Sequence, residues 1–362
     1  MAKELFHPFK AELNPGPQAY TLEHIDIEIN HRCNLSCRHC SATAGKGIYS
    51  DELSSAEIKK ILSEAREMGL RQVGLTGGEP LYDMEKLDAV GYFCAEELQV
   101  RLHTHTNGTL IRDRMRKDGK ALSLFESISV TFLGGNVADH DDMTSIKGSF
   151  EETLAGAKLL AARDFPLTCY FVPTSNMCSQ FPRLTHQLHN IGARRIRAMA
   201  LAPGGRARPI YSRLVSSQTE MEKFEHSLLE KKDSLDIRLE AGYCTRIGMR
   251  KLSVLNGHET CTSGVNRVHI NSKGDVFPCT AASGVKELRL GNIRDRGFRL
   301  SEMWLNSELV RRIRLVHDGL LKQCTDCSHQ PKCQFGCIVN ACGTMPRDKQ
   351  TECPLMNLTL EV

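Results

Sequence analysis

The sequence predicts an α/β protein, in which an open barrel of six strand-and-helix units is followed by a smaller cysteine-rich domain. Strand and helix patterns alternate from about residue 23 to residue 200, as in a parallel sheet covered by helices. Six units are too few to close an eight-stranded barrel. Near residue 203 prolines and glycines interrupt the alternation, and from residue 244 onward cysteines are frequent. We therefore predict a lead over residues 1–22, the partial barrel over 23–205, a linker and helical bridge over 206–243, and the cysteine-rich domain over 244–362.

Six apolar runs define the strands of the predicted barrel. The first, His24 to Asn30, alternates isoleucines with polar residues, which is typical of a strand with one buried face. The other strands are predicted at 72–75, 100–105, 127–131, 167–172 and 194–199, and helices near 150–163, 181–191 and 218–231. The first helix begins at Ser54 with a capping box that includes Glu57, and Gly69 ends it. In such folds the active site lies at the carboxyl ends of the strands.

Composition limits the partners and the location of the protein. With 362 residues the chain can bury two domains, and its net charge of +4 is spread over 47 basic and 43 acidic residues. We see no long basic tract, so no nucleic-acid partner is expected. No apolar run approaches the roughly 20 residues that span a bilayer, and the N-terminus lacks a signal-peptide core, so we predict a cytoplasmic protein without membrane contact. Fifteen cysteines in such a chain favour metal sites over disulfides.

The segment Cys33-Asn-Leu-Ser-Cys37-Arg-His-Cys40 directly follows the first predicted strand. Three closely spaced thiolates can bind three irons of a [4Fe-4S] cluster and leave the fourth iron open, whereas an electron-carrying cluster normally has four cysteine ligands. S-adenosylmethionine (SAM) suits an open iron, since its amine and carboxylate can chelate it. A zinc site is the alternative, although zinc loops favour a two-plus-two arrangement and this loop has no local fourth cysteine.

The C-x3-C-x2-C spacing after the first strand resembles the signature of the radical SAM enzymes, with His39 at the usual aromatic position before the last cysteine. The second strand runs into Gly77-Gly78-Glu79-Pro80, where two glycines would let the backbone approach a ligand closely. In this family a Gly-Gly-Glu-Pro motif binds the methionyl amine of SAM through backbone carbonyls. The resemblance implies that role for Gly77, Gly78, Glu79 and Pro80, and it implies a TIM-like partial (β/α)6 barrel.

Further SAM contacts are implied at the ends of the later strands. Thr131 keeps the hydroxyl that relatives place near the SAM carboxylate, while Leu133 replaces their aspartate. Asn176 and Arg197 match positions that touch SAM in relatives, and an arginine suits a carboxylate because its donors form a fork. The third strand ends in Asn107-Gly108, which is either a contact to the ribose or the substrate or an ordinary turn.

The C-terminal region resembles the SPASM domain of radical SAM enzymes. It contains a predicted hairpin that turns at Lys273-Gly274, then Gly291-Asn292-Ile293 and a helix that starts within Leu300 to Trp304. The resemblance implies one auxiliary [4Fe-4S] cluster on Cys324, Cys327, Cys333 and Cys353, and another on Cys261, Cys279 and Cys337.

Several cysteines of the chain have no assigned cluster. The cluster on Cys261, Cys279 and Cys337 has no assigned fourth ligand, which is Cys244, a substrate group or none. The spacing of the C-terminal cysteines alone would also permit zinc knuckles. Cysteines that we expect to be packing residues are Cys94, Cys169 and Cys178, and Cys342 has no assigned role.

The resemblance also implies the reaction. An electron from the reduced cluster on Cys33, Cys37 and Cys40 splits SAM into methionine and a 5′-deoxyadenosyl radical, which removes hydrogen from an unactivated C–H bond. Two auxiliary clusters suggest that the substrate radical then loses an electron. The predicted function is therefore oxidative modification or cross-linking of a peptide or protein, with a flavodoxin- or ferredoxin-type reductant.

Alternative functions differ in substrate or in class. Enzymes of haem and haem d1 synthesis share this layout and act on tetrapyrroles. The lead before residue 23 is too short for the peptide-recognition domain of many maturases, so we expect any leader recognition to need a separate protein or another surface. Thr280 stands where anaerobic sulfatase maturases carry an aspartate, which disfavours that activity. A non-catalytic electron carrier or a zinc-dependent nucleic-acid binder would need neither an open iron nor a SAM-binding turn.

Overall fold

The structure is a computed structural model that describes residues 20–47, 49–118, 120–165, 167–175, 177–202, 204–232, 237–241, 261–283, 285–317 and 339. Within these residues the strands are β1 (His24–Asn30), β2 (Gln72–Gly77), β3 (Arg101–Thr106), β4 (Phe125–Phe132), β5 (Leu167–Phe171), β6 (Arg195–Ala198), β7 (Arg238–Ala241), β8 (Arg267–Ile270), β9 (Asp275–Phe277) and β10 (Gly291–Asn292). The helices are α1 (Ser55–Glu67), α2 (Met84–Tyr92), α3 (Ile111–Asp118), α4 (Val137–Thr144), α5 (Ser149–Ala161), α6 (Phe181–Asn190), α7 (Tyr211–Leu214), α8 (Gln218–Lys232), α9 (Leu300–Asn306) and α10 (Glu308–His317).

These strands form a single open sheet in the order β10-β9-β8-β1-β2-β3-β4-β5-β6-β7. Strands β1 to β7 pair in chain order and in parallel, with helices on the crossovers, and β8 adds in parallel on the free side of β1. Strands β9 and β10 are antiparallel. The predicted fold class, an open α/β barrel followed by a hairpin-bearing domain, is confirmed, and each of the six predicted barrel strands lies within one or two residues of its prediction.

The sheet contains a parallel strand that the sequence analysis did not predict. Strand β7 pairs with β6 from Arg195↔Arg238 to Ala198↔Ala241, inside the stretch predicted to be a linker and helical bridge. It is only four residues long and alternates charged residues with Leu239 and Ala241, so its apolar pattern is too short to identify from sequence. At the other edge the pairing of β8 with β1 makes the sheet continuous from the barrel to the hairpin. The domain limits themselves stay a prediction.

The two faces of β1 show why the interior of the barrel is polar. Ile25, Ile27 and Ile29 are fully buried in the main core, where α1 packs its own apolar face. Burying an isoleucine side chain stabilises a protein by about 1.5–3 kcal/mol. The alternate residues, Asp26 and Glu28, are buried on the opposite face, which lines the barrel interior. The interior is therefore polar, unlike the apolar side-chain layers that fill a closed eight-stranded barrel.

Helix α1 joins the barrel to the C-terminal elements. Its capping box is confirmed, with Ser54 and Glu57 bonded reciprocally, and Gly69 follows its end at φ +105°. The carboxylate of Glu57 also accepts a 2.8 Å hydrogen bond from Arg294, and the carboxylate of Glu64 accepts from the first turn of α9. These contacts fix the C-terminal elements against the barrel.

The predicted hairpin and its helix are also confirmed. Strands β8 and β9 turn at Gly274, whose φ is +87°, and Asn271 accepts hydrogen bonds from the backbone of Lys273 and Asp275. Helix α9 begins at Leu300. In the part of the chain that the structure describes, no helix has both the length and the apolar character that crossing a membrane requires.

Candidate functional site

The three cysteines of the first loop lie at the carboxyl end of β1. Cys33 is 7% exposed and its N–H donates to the carbonyl of Gly45 at 2.9 Å. The end of α4 supports the same loop, because the carbonyls of Met143 and Thr144 accept from the backbone of Arg38 and Ser36 at 2.8 Å and 3.1 Å. The loop is thus fixed by backbone hydrogen bonds on both sides.

The thiol environment fits a cationic cluster. Burial, and after it the charge of Glu79, raises the pKa of Cys33 to about 12, and burial followed by Cys40 and Cys33 raises the pKa of Cys37. The sulfurs of Cys40 and Cys33 are thus close enough to disfavour the ionisation of Cys37, and a bound cation reverses that balance. All three are free thiols. The donor set therefore fits a cluster held by three cysteines.

The two glycines of the Gly-Gly-Glu-Pro turn are needed for contact with the chain itself. Gly77 has φ +150°, and a Cβ there would lie 2.5 Å from the carbonyl oxygen of Asn30. A Cβ on Gly78 would lie 2.4 Å from the carbonyl oxygen of Arg32. The space next to them is filled by the backbone that leads into the cysteine loop. This packing requires glycine in addition to the predicted approach of a ligand, which stays a prediction.

Glu79 connects three strands at this edge of the sheet. Its side chain is fully buried and accepts hydrogen bonds from Thr106 Oγ1 and the Asn107 N–H, both at 2.7 Å. Its carbonyl accepts from Asn30 at 3.1 Å. Burial raises the pKa of Glu79 to about 7, against the effect of these hydrogen bonds. The Glu79 side chain is therefore a structural link between β2 and β3.

Asn107 lies beside the cysteine loop. From the sequence it was either a turn residue or a contact to the ribose or the substrate. Its side-chain amide donates to Asn34 at 2.9 Å and contacts the Cys33 sulfur at 3.8 Å. Gly108 has φ +83°, where a Cβ would lie 2.8 Å from the side chain of Val130. The glycine of this turn is therefore required by backbone conformation and close packing. The asparagine side chain faces the site.

Arg206, which was not among the predicted site residues, also binds the cysteine loop. Its side chain donates to the carbonyls of Cys37 and Ala44 at 2.8 Å and 2.7 Å, and its N–H donates to the carbonyl of Cys40 at 2.9 Å. A Cβ on the preceding Gly205 would lie 2.3 Å from a loop carbonyl. The segment Gly204-Gly205-Arg206 was visible in the sequence after the sixth strand, but it was interpreted only as a domain boundary.

Two of the other three predicted SAM contacts lie within the described residues. Thr131 on β4 and Arg197 on β6 line the same cavity as the cysteine loop, and Arg197 forms an ion pair with Glu240 at 2.5 Å. Asn176 lies outside the described residues.

Only two of the predicted cluster ligands of the C-terminal region lie within the described residues. Cys261 and Cys279 line the same cavity. The cysteines that lie outside the described residues are Cys244, Cys324, Cys327, Cys333, Cys337, Cys342 and Cys353. The predicted packing cysteines, Cys94, Cys169 and Cys178, are buried in the main core.

The cavity has a volume of about 1630 Å³ and extends through the barrel. At the carboxyl ends of the strands, which we call the mouth, it is lined by Cys33, Cys37, Cys40, Gly78 and Asn107. At the amino ends, which we call the floor, it is lined by the first residues of six strands, namely His24, Gln72, Arg101, Arg195, Arg238 and Arg267. Both ends of the strands therefore face one chamber.

A buried polar cluster lies just above the floor. Asp26 contacts His24 at 3.1 Å and His103 at 3.2 Å, and Arg267 lies 3.5 Å from the same carboxylate. Burial alone would raise the pKa of Asp26, but His24, Arg267 and the hydrogen bonds from both histidines hold it well below its usual value. Thr280, next to Cys279, contacts this carboxylate at 3.4 Å. Arg267 supplies the positive charge that a metal ion would otherwise bring to these ligands.

Comparison with known proteins agrees with this geometry. The family model of the radical SAM superfamily matches residues 27–178, and that of an iron-sulfur cluster-binding domain, SPASM, matches residues 261–328. The chain is 28% identical over 329 residues to the AdoMet-dependent heme synthase of Methanosarcina barkeri, covering 87% of this chain and 90% of that protein. It is 27% identical over 312 residues to the mycofactocin maturase MftC of Mycolicibacterium smegmatis, covering 86% and 76%.

The fold is also similar to that of Streptococcus suis SuiB. The structure of SuiB bound to SAM has a TM-score of 0.66, and that bound to the precursor peptide SuiA has 0.69. Each is 17% identical and covers 90% of this chain and 73% of SuiB. At this identity the likeness shows a shared fold.

The open parallel barrel with three thiols at its mouth defines a radical SAM protein, and the chain belongs to that superfamily. More particularly, it is one of the members that carry a C-terminal SPASM domain, so its cofactors are SAM and [4Fe-4S] clusters.

Proposed function

We propose that this protein cleaves SAM at a cluster bound by Cys33, Cys37 and Cys40, and that it oxidises or cross-links a peptide or protein. When bound, the cluster and SAM supply one-electron cleavage to methionine and a 5′-deoxyadenosyl radical, which takes a hydrogen atom from an unactivated C–H bond. The chain's own part is to hold SAM and substrate aligned and away from water.

One observation carries the proposal: the first cysteine loop and the SPASM cysteines face the same cavity. Cys33, Cys37 and Cys40 line it together with Cys261 and Cys279. A substrate in this cavity would lie between a site of radical formation and a site that can accept an electron. That arrangement suits an oxidation better than a rearrangement.

Roles follow for the remaining predicted residues. The backbone of Gly77 to Pro80, together with Thr131, Asn176 and Arg197, would hold SAM. One auxiliary cluster would use Cys261, Cys279 and Cys337, and the other would use Cys324, Cys327, Cys333 and Cys353. A flavodoxin- or ferredoxin-type protein would supply the electron.

The relatives support a peptide substrate. The cavity of about 1630 Å³ exceeds the roughly 300–1,000 Å³ of pockets for drug-sized ligands, so it can hold a substrate group together with SAM and the cluster. The mycofactocin maturase and SuiB, the latter solved with its precursor peptide, share most of this chain's length with it. Peptide recognition would use this surface or a separate protein.

A tetrapyrrole is the second candidate substrate. The heme synthase of M. barkeri matches over 90% of its own length, and the floor of the cavity carries four arginines that suit carboxylate side chains. Both candidates use the same radical chemistry and differ only in what enters the cavity.

The first experiment tests radical formation. Anaerobically reconstituted protein is reduced in the presence of SAM, and 5′-deoxyadenosine is measured by chromatography together with iron and sulfide content. We expect product from the native protein and none from the triple variant Cys33→Ala, Cys37→Ala, Cys40→Ala. Undiminished product in the triple variant would refute the assignment, as would a native protein that contains zinc and no sulfide. The substrate is then sought by mass spectrometry after turnover with candidate peptides or with porphyrins.

A further inference from the structure

Four arginines mark the amino-terminal rim of the barrel cavity. Each is the first residue of its strand, β3, β6, β7 or β8, and we call them the arginine rim: Arg101, Arg195, Arg238 and Arg267. We propose that the arginine rim binds carboxylate groups of the substrate, far from the cysteine loop. This inference rests on the proposed function, since it assigns the substrate's second point of attachment in the same cavity.

Two arginines on neighbouring strands share one carboxylate. Arg195 and Arg238 stand directly opposite each other in the register of β6 and β7. Both contact one carboxylate oxygen of Glu240, at 3.5 Å and 2.7 Å, and Arg197 takes the other oxygen. Like charges paired across neighbouring strands are destabilising. The guanidinium groups of Arg195 and Arg238 therefore share one buried carboxylate, and a further anion at this place would stabilise the strand pair.

The side chains of the arginine rim are also accessible. The side chains of Arg195 and Arg238 are 42% and 62% exposed, and Glu240 itself is buried behind them. Arg101 is 61% exposed and lies 3.8 Å from an equally exposed Glu126, which is a weak ion pair in water. The guanidinium groups are thus accessible to a ligand in the cavity.

Arg267 has a buried donor that a ligand can satisfy. Its terminal nitrogen contacts His24 and Asp26, but its Nε is buried and has no hydrogen-bond partner among the described residues. A buried N–H without a partner is destabilising, and a ligand carboxylate would satisfy it.

The arginine rim lies far from the cysteine loop. Arg267 pairs with His24 in the sheet, six residues before Asn30 at the carboxyl end of β1. At about 3.3 Å per residue the rim lies roughly 20 Å from the root of the cysteine loop. The cluster and SAM, which the proposed function places at the mouth, occupy part of that distance. A substrate bound at the rim would span the remainder, so its carboxylates would lie away from the reacting C–H bond.

Two substrates supply this chemistry, and binding assays separate them. The probes are a fluorescein-labelled peptide rich in glutamate and coproporphyrin, which carries four propionates and has a strong absorbance. The anaerobically reconstituted full chain is titrated with each, and the double variant Arg195→Gln, Arg238→Gln is compared with the matched surface variant Arg112→Gln, Arg183→Gln, whose residues are exposed on α3 and α6. A peptide with glutamine in place of glutamate controls for the ligand.

We expect one of the two probes to bind the native protein and to lose roughly tenfold or more in Kd in the rim variant, since two charge-assisted contacts are removed. The surface variant should change less than twofold. Equal Kd values for the rim variant and the native protein, or no binding of either probe, would overturn the inference. Because the double variant leaves Glu240 with one arginine, Arg101→Gln serves as a second variant that keeps the β6 and β7 contacts.

Failure of the inference is distinguishable from failure of the proposed function. Formation of 5′-deoxyadenosine by the native protein without substrate is measured on the same preparation. Absence of that product contradicts the proposed function, whereas its presence together with arginine-independent binding contradicts only the role of the arginine rim.

Discussion

The mouth and the floor of the barrel are built differently, although the same strands form both. At the mouth, backbone carbonyls and amides of the cysteine loop are paired with Gly45, Met143, Thr144 and Arg206, and glycines allow backbones to touch. At the floor, arginines are partly exposed and share few carboxylates. The mouth is therefore preorganised for a cofactor of fixed shape, whereas the floor can adapt to a charged ligand.

The largest effect that this comparison predicts comes from crowding the mouth. In Gly78→Ala the new Cβ would lie 2.4 Å and 2.6 Å from the carbonyl oxygens of Arg32 and His31, so the end of β2 must move away from the root of the cysteine loop. Misplacement of about 1 Å at a reacting centre lowers rates on the order of a hundredfold. We expect 5′-deoxyadenosine formation to fall by about that factor. The matched control is Gly45→Ala, where nothing lies within 4 Å of the new Cβ. A Gly78→Ala rate within a few-fold of the native rate would show that the mouth is not rigid.

The second prediction concerns the loop contacts of Arg206. Replacing it in Arg206→Met removes two side-chain hydrogen bonds to the carbonyls of Cys37 and Ala44. Hydrogen bonds from charged donors contribute about 1.5–3 kcal/mol each, so we expect a loss of about 3 kcal/mol in the free energy of unfolding and incomplete iron incorporation. Urea unfolding and iron analysis measure these effects. Arg208→Met, two residues away and exposed, is the control and should retain native stability and iron content. Equal iron content in both variants would argue that the loop does not depend on this contact.

The third prediction is a pH dependence that originates at the mouth. Burial raises the pKa of Glu79 from about 4.5 in the unfolded chain to about 7, so the native state binds its proton more tightly. Stability from this group is complete below about pH 4.5, falls as pH rises to about 7, and is then constant. Between pH 4.5 and pH 8 the metal-free protein should lose on the order of 2–3 kcal/mol relative to Glu79→Gln, whose side chain does not titrate. Urea unfolding of both proteins across this range provides the comparison. Parallel pH profiles would mean that the hydrogen bonds to Glu79 cancel the effect of burial.

The fold was largely predictable because its signals are local. Alternating isoleucines gave β1, the capping box gave α1, and Lys273-Gly274 gave the hairpin, since each depends on neighbouring residues. Strand β7 was missed because a four-residue strand of alternating charge has almost no apolar signal. Cysteine spacing identified the first loop for the same local reason.

The contacts within the site depend on pairing between distant parts of the chain. Arg206 reaches Cys37 across 169 residues, and the opposition of Arg195 and Arg238 exists only once β6 and β7 are in register. The sequence also does not show which backbone fills the space beside Gly77 and Gly78. Local patterns therefore predicted where the site is, and three-dimensional pairing determines how it is supported.

The smallest predicted effect tests the floor. Glu126 is 58% exposed and lies 3.8 Å from Arg101, which is itself 61% exposed, and such pairs contribute about 0–1 kcal/mol. Glu126→Gln should therefore leave the urea midpoint almost unchanged, in contrast to Arg206→Met at the mouth. The same substitution removes a carboxylate that competes with the ligand for Arg101. Because Arg101 is then more available, we expect the affinity for a carboxylate ligand to rise by about twofold. A large loss of stability in Glu126→Gln would show that the floor is as tightly connected as the mouth, and the contrast between the two ends of the barrel would fail.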